Sequence, residues 1–382
     1  MQTIDLTHVY PLKLLSHSAL ETLHACPRKF EIYRMNYAPK EAATVDTCFG
    51  QVVGAGIQEL LILQKERDKV GSEGHHPDDY NQLLFGLLTD LELAVWKMFL
   101  AWEVDIDEEK PKSKKSFATA CLAVEKYQLQ LLPLLSNEWE IAYFEDKPAV
   151  ELGFIIELPN GYYYRGYVDA VLAHKYEKRF RVLELKTTGL ATVDVAHYKN
   201  SFQGVGYGVV LDKLAATLDY EADYYVDYLV YKTGSQEFLT MPFLKTAYQR
   251  VKWLAQLLLE TKTIDMYLGD ELFPTYGNNC FNFFRQCPYF GMCDKSNAQL
   301  VVKKPSKEWP SPEAFLGIDV SKNNVLDVAL AVGHNASQTK RSAEEFDFII
   351  SLEELVARQY EAQAAIANQQ MERSSVQIEM DI

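Results

Sequence analysis

The stretch from 149 to 188 constrains the fold more than any other part of the chain. It reads AVELGFIIEL, a PNG turn at 159–161, YYYRGYVDAVLAH, a polar KYEKR turn, and FRVLELKTT. Three β-rich runs divided by turn signals predict an antiparallel three-stranded meander. Successive side chains of a strand point to opposite faces. In L-E-L-K, Glu184 and Lys186 therefore share one face, while Leu183 and Leu185 share the other and face the core. Asp169 lies late on the neighbouring strand. Adjacent strands run about 5 Å apart, so Asp169 meets Glu184 on one face if the register allows it. Two adjacent carboxylates repel and invite a hard divalent cation with oxygen ligands, such as Mg²⁺. A lysine beside them can hold or activate a water, and these parts together suit phosphodiester hydrolysis. An E-x-K triplet alone is ordinarily a solvated face with surface ion pairs. Here Val182, Leu183 and Leu185 mark a core strand, which shifts the balance toward a site.

Helical patterns flank the meander. Leu20, Leu23, Phe30 and Tyr33 predict an amphipathic helix over 19–34, with Ser18 and Glu21 as a capping box and Pro27 interrupting just after Cys26. Further helices are expected over 49–65, 81–102, 115–136, 197–216 and 243–263, with strands at 224–233 and in EFLTM after Gly234. Residues 66–80 read as a polar loop, and VVKKPSKEWPSP after residue 300 as a linker. ISLEELVARQYEAQAAIANQQ predicts one more helix, with Ser351 and Glu354 as its capping box. The whole is an α/β pattern. The formal net charge of −15 argues on its face against a nucleic-acid partner. Residues 311–382, however, hold 12 acidic and 5 basic residues, so −7 of that charge belongs to the tail. No apolar run reaches the roughly 18 residues of a membrane span, and MQTIDLTHVYPLKLL lacks the signal-peptide pattern. Six cysteines in a chain of this length do not form a secreted disulfide framework. A cytoplasmic, intracellular protein without membrane contact is expected.

Gly166 stands three residues before Asp169, giving G-x-x-D. On the next helix Gln203 and Tyr207 are four apart and share a face. Gly204, Gly206 and Gly208 interleave there. Each glycine costs a helix about 1 kcal/mol relative to Ala, tolerable where something must approach that face closely, such as a DNA backbone; the plain alternative for Gln203 and Tyr207 is a polar cap on a buried helix. G-x-x-D, E-x-K and Q-x-x-x-Y in this order resemble the RecB-type branch of the PD-(D/E)XK nuclease superfamily, and the likeness extends over residues 16 to 295. The resemblance implies a mixed central sheet flanked by helices. It also implies a Mg²⁺- or Mn²⁺-dependent deoxyribonuclease, an exonuclease serving DNA recombination, repair or phage replication. Residue by residue, it implies that Asp169, Glu184 and the Leu185 carbonyl hold the metal and that Lys186 positions or activates the attacking water. Gln203 and Tyr207 would contact DNA near the scissile phosphate. One position departs from the pattern. The family often has G-x-x-x-H in its second helix, but Gly50 is followed four residues later by Gly54. A catalytically inactive DNA-binding or scaffold protein is therefore the alternative. Glu151, on the first strand, would add an oxygen to the site or form a structural salt bridge.

Cys280, Cys287 and Cys293, spaced C-x6-C-x5-C among aromatics, suggest a soft-metal or iron–sulfur site, with Cys26 as the best fourth ligand. Iron–sulfur-stapled RecB-type nucleases have one cysteine before the core and three after it, the order found here. Their first step is commonly tighter, C-x2-C, so Cys280 sits further upstream than the family pattern. The resemblance implies a 4Fe–4S cluster; zinc on the same thiols is the alternative, and three buried free thiols the plain one. Cys48 and Cys121 suit core packing. The resulting division is a nuclease domain over 1–300, a linker over 301–312 and an acidic accessory tail over 313–382. The domain comprises a helical insertion over 66–140, a catalytic core over 149–263 and the cysteine cluster over 280–293. The tail suits contacts with a replication or recombination partner. Its FLGIDVSKNNVLDVAL run, with Asp319, is similar to the opening strand of an RNase H-like domain but is followed by too little chain. KPKSKK (110–115) and VKKPSK (302–307) are solvated linkers or phosphate contacts. Tyr162, Tyr163 and Tyr164 pack on the sheet or stack on bases. His75 and His76 have no evident partner in a metal site.

Overall fold

A computed structural model of the chain describes residues 2–3, 9–35, 45–73, 89–102, 114–144, 147–282, 285–300, 345–346, 348–361 and 364–366. Its centre is a mixed sheet. The strands are β1 (Leu14–Leu15), β2 (Trp139–Ile141), β3 (Val150–Leu158), β4 (Tyr162–His174), β5 (Arg179–Thr188), β6 (Glu221–Lys232), β7 (Glu237–Leu244) and β8 (Phe348–Ser351). They run in the order β7-β6-β5-β4-β3-β8, and β1 and β2 also pair with β4. The expected meander is present, with β3–β4 and β4–β5 antiparallel. Its PNG turn places Asn160 and Gly161 at φ 61° and 72°, the left-handed region these two residue types tolerate best. β5 and β6 pair in parallel, which requires a crossover. Two helices supply it, α6 (Val195–Lys199) and α7 (Phe202–Thr217).

The two sheet faces are covered separately. On one lie α1 (His17–Ala25), α2 (Pro27–Arg34), α7, α8 (Ala247–Gly269) and α9 (352–361). There Val182, Tyr228 and Val230 pack with Leu20, Phe30, Val209, Trp253 and Leu355. On the other lie α3 (Val45–Glu73), α4 (Asp90–Ala101) and α5 (Phe117–Gln130). There Leu183, Leu229 and Tyr231 pack with Val52, Ile57, Met98 and Val124. Residues adjacent along β5 and β6 thus go to opposite cores, as the period of two requires.

Several boundaries differ from expectation. The helix expected over 19–34 is two helices, because Cys26 is extended (φ −166°, ψ 112°) and Pro27 starts a new one. Ser16, not Ser18, caps α1, its Oγ accepting the Ala19 N–H at 3.2 Å. α3 runs on through 66–73, where the sequence predicts a polar loop; 74–80, with His75 and His76, lie outside the described residues. α4 opens on a Thr89–Glu92 capping box; 81–88, where the expected helix begins, lie outside the described residues. α8 starts at Ala247 because Phe243 and Leu244 are held in pairing with β6. The tail differs most. β8 pairs in parallel with Phe154–Glu157 of β3, and Ile350 and Leu355 are buried in the core, so residues 348–361 join the domain rather than forming a separate tail. Hydrophobic F-I-I covers what would otherwise be an open sheet edge. Asp319 and VKKPSK lie outside the described residues. Among the described residues, no helix is long and apolar enough to cross a membrane.

Candidate active site

The site sits where β4 and β5 part. Their pairing runs from Ala173↔Phe180 to Ala170↔Leu183 and stops. Further back, Tyr163 and Tyr164 pair with β1 instead. Asp169 stands in the resulting fork, one residue beyond the last pair. Its Oδ2 accepts the Leu185 N–H across the gap at 2.8 Å, and its own carbonyl accepts Gln58 Nε2 from α3 at 2.8 Å. Side chains thus satisfy backbone groups that the interrupted ladder leaves unpaired. Gln58 also donates to Glu151 Oε1 at 2.9 Å. Glu151 lies in β3 opposite the fork, at φ 47°, between the pairs Val150↔Ala170 and Leu152↔Val168.

Glu184 is 0% exposed, and among the described residues neither of its carboxylate oxygens has an aligned hydrogen-bond donor. Lys186 Nζ pairs with Oε1 at 2.5 Å. Burial, and then the charge of Asp169, push the Glu184 carboxyl well above the usual carboxylate range. Burial also raises Asp169, against the opposing pull of Lys186 and the Leu185 N–H. For Lys186, burial works against the ammonium, but Glu184 and Asp169 outweigh it and push its pKa up. Lys186 is therefore a firm cation between two carboxyls reluctant to ionise together.

A relay orients it. Lys186 Nζ donates to Gln203 Oε1 at 3.2 Å, Gln203 Nε2 to Tyr207 Oη at 2.7 Å, and Tyr207 Oη to the Tyr167 carbonyl at 2.6 Å. Tyr207 is buried with its hydroxyl engaged, so in this structure it supports Gln203 rather than facing outward. The glycines of α7 do not open that helix to DNA, contrary to expectation. All three are buried. A Cβ at Gly204 would fall 2.0 Å from Tyr228 Oη, and one at Gly206 2.7 Å from Trp253 Cζ2. The close approach is by the protein's own side chains. Tyr162 and Tyr164 are buried as well, in keeping with packing rather than base stacking.

Gln58 is the residue that sequence reasoning missed. It lies one turn beyond Gly54 on α3, and that spacing was the available signal. Gly54 itself faces Leu185, with 3.9 Å between its would-be Cβ and Leu185 Cδ1.

The four cysteines gather at the junction of α1 and α2 with the segment after α8. Burial raises the Cys293 thiol pKa, and Cys26, Cys287 and Cys280 add to the rise, which places all four within electrostatic reach. Arg28 ties the two chain segments together, donating to the Lys295 carbonyl and to Asn297 Oδ1, both at 2.7 Å. Cys48 is buried and Cys121 packs against the same core. Among the described residues, no three of His, Cys, Asp and Glu are close enough together to hold a metal ion. The cysteines are thus neighbours rather than a formed ligand set. A carboxylate pair is a different case, because Mg²⁺ is usually held by one or two carboxylates, with waters and substrate phosphates completing its shell. The buried Glu184 carboxylate, with Lys186 on one oxygen and no aligned donor on either, fits such an ion.

Compared with models of known families, residues 14–294 match the PD-(D/E)XK nuclease superfamily. The chain belongs to this superfamily. For a PD-(D/E)XK nuclease the fork and its carboxylates lie well inside the matched region, which runs from β1 to just past Cys293 and leaves out β8 and α9. Among solved structures, a crystal structure named "Putative exonuclease", from Eubacterium rectale, is 11% identical, with a TM-score of 0.40, over 83% of this chain and 100% of that one. That score is too low to bear on fold or chemistry. No curated protein matches significantly.

Proposed function

We propose that this PD-(D/E)XK nuclease is a Mg²⁺- or Mn²⁺-dependent deoxyribonuclease of RecB type, an exonuclease serving DNA recombination, repair or phage replication. The observation that carries the reading is the fully buried Glu184 carboxylate, paired with Lys186 at 2.5 Å and beside Asp169. Nucleases of this superfamily typically use Mg²⁺ or Mn²⁺. Asp169 and Glu184, with the Leu185 carbonyl, would hold the ion. When bound, it supplies Lewis-acid stabilisation of phosphate charge and a more acidic water. The chain's own residues do the rest. The Leu185 N–H fixes the Asp169 carboxylate. Lys186, paired with Glu184 at 2.5 Å, would position or activate the attacking water and offset charge developing on the phosphate. Gln203, braced by Tyr207, aims Lys186 and contacts the strand. The exonuclease mode rests on the RecB-type motif order.

Cys26, Cys280, Cys287 and Cys293 would hold a 4Fe–4S cluster, or zinc on the same thiols. The order of the cysteines along the chain, one before the core and three after it, supports this. Iron with acid-labile sulfide in freshly purified protein is expected; stoichiometric zinc and no iron would select the alternative.

Gly54 favours a second reading, a nuclease fold that binds DNA without cutting it. End-labelled linear and closed circular DNA, single- and double-stranded, separate the two. Metal-dependent release of nucleotides from ends, slowed about 10²–10³-fold in Lys186→Ala, is expected. Cleavage of closed circles would overturn the exonuclease mode. Binding without cleavage by folded, metal-loaded protein would leave only the second reading.

A further inference from the structure

Lys245 directly follows β7 and is 0% exposed. Its side chain runs beneath α7 in a channel that two glycines leave open: a Cβ at Gly204 would come within 3.2 Å of its Cε, and one at Gly208 within 3.3 Å of its Cβ. The rings of Tyr228 and Phe243 flank the ammonium at 5.1 and 5.7 Å. Beyond them it donates to the carbonyls of Tyr198 and Lys199, both at 2.9 Å. These two residues end α6, a helix of five residues; the Tyr198 carbonyl also takes the Ser201 N–H at 3.4 Å, and Lys245 adds a charged donor to both carbonyls. Burial pushes the Lys245 pKa down to about 8, so the ammonium is placed here against a real cost.

α6 stands at the mouth of the site. The Tyr198 ring packs on Tyr228 at 5.1 Å, and the charges of Glu184 and Lys186 act on the Tyr228 hydroxyl. The charge of Lys186 also reaches the Tyr198 hydroxyl. Lys186 and His197 both act on Glu21 of α1 across the opening. The outer side of this segment is open to solvent, with Leu190 68% and Val195 52% exposed.

We propose that Lys245 is a positioning residue that fastens the C-terminal end of α6 and so holds Tyr198 against Tyr228, the strand partner of Glu184. The inference rests on the function proposed above and deepens it, since it makes the glycines of α7 serve the site by admitting the anchor.

Two variants test it. Lys245→Met removes every donor, and Lys245→Gln keeps two uncharged N–H donors should the first not fold. Limited trypsin digestion below each variant's Tm reads the bond after Lys199, with the bond after exposed Lys178 as internal control. Nicking after Lys199 is expected to rise at least tenfold in Lys245→Met and less in Lys245→Gln, with Lys178 unchanged. In DNA cleavage, kcat is expected to fall at least fivefold with KM within twofold. Unchanged nicking at Lys199, a parallel rise at both bonds, or unchanged kcat despite faster nicking would each overturn the proposal. Wild-type protein that does not cleave DNA would defeat the proposed function, while the digestion would still decide whether Lys245 anchors α6.

Discussion

Replacing Glu184 with glutamine should stabilise the metal-free protein and destroy its response to Mg²⁺. Glu184 is fully buried, its oxygens lack aligned donors, and burial with the Asp169 charge raises its pKa. A group whose pKa is raised by folding adds stability below its unfolded pKa and loses it as pH climbs through the folded value. Under alkaline conditions the metal-free chain thus carries an unsatisfied buried carboxylate, a cost of about 1–3 kcal/mol. Lys186 offsets part of this at 2.5 Å, leaving roughly 1–2 kcal/mol. At about 2–4 °C per kcal/mol, Glu184→Gln should raise Tm in EDTA by about 2–8 °C. The gain should shrink as pH falls and the wild-type carboxyl takes up a proton. Saturating Mg²⁺ should reverse the order: at a hundred times Kd it adds about 2.7 kcal/mol to the wild type and little to the variant. Differential scanning calorimetry across pH, with and without Mg²⁺, reads all of this. A Tm lowered by Glu184→Gln in alkaline EDTA would refute the reasoning, because Glu184 would then be a satisfied structural ion-pair partner rather than a carboxylate awaiting a cation.

Three further outcomes follow from the same geometry. Lys186→Ala should slow DNA cleavage about 10²–10³-fold yet enlarge the Tm rise on adding Mg²⁺, since the carboxylates lose their close cation; calorimetry and single-turnover assays check both. Tyr207→Phe strips the Tyr167 carbonyl of its donor and Gln203 of its acceptor, so it should cost about 1–3 kcal/mol of stability in urea titration and slow cleavage about tenfold. His24 of α1 meets Glu260 of α8 at 2.8 Å, which raises the His24 pKa. That contact stabilises the fold below the unfolded histidine pKa and fades as pH rises through the folded value. Glu260→Gln should therefore cost up to about 1 kcal/mol in mild acid and nothing in alkali, by urea titration at both pH values.

The meander and the facing of Glu184 and Lys186 were legible because both are local: turn chemistry at 159–161 and a period of two along β5 determine them. The fork was not. It exists because β4 exchanges β5 for β1, and the register of Leu14 and Leu15 on Tyr163 and Tyr164 is a long-range pairing that no window of sequence contains. For Gln58 the sequence shows the position, one turn beyond Gly54, but not the task, which is to satisfy a carbonyl that only the fork leaves open. The glycines of α7 were misread for another reason. Gly204, Val205, Gly206, Tyr207, Gly208, Val209, Val210 and Leu211 are all buried. A helix apolar on every side is an interior helix, and that periodicity was available in the sequence. The cysteine order pointed to a shared location, and the structure brings the four near one another, but ligand geometry does not follow from spacing.

The acidic tail also acts differently from what its charge suggests. Of the net −15, a share of −7 lies in residues 311–382, yet in its described part Arg358 and Glu354 pair with residues of α7. Arg358 Nε donates to Asp212 Oδ2 on α7 at 2.7 Å, and Lys213 pairs with Glu354 at 2.7 Å. Buried Arg250, on α8, donates to Gln359 Oε1 at 2.6 Å and to the carbonyl of Lys245. α9 therefore braces the helix that carries Gln203 and Tyr207, and it also braces the backbone of the lysine that ends α6. Both routes lead to Lys186 through packed, hydrogen-bonded elements, and neither needs the tail to touch the substrate. The family match stops at residue 294, so this bracing is supplied from outside the matched region. Its influence on the site is mechanical: it holds α7 and β7 in the one arrangement that keeps Gln203 on Lys186 and Lys245 on α6.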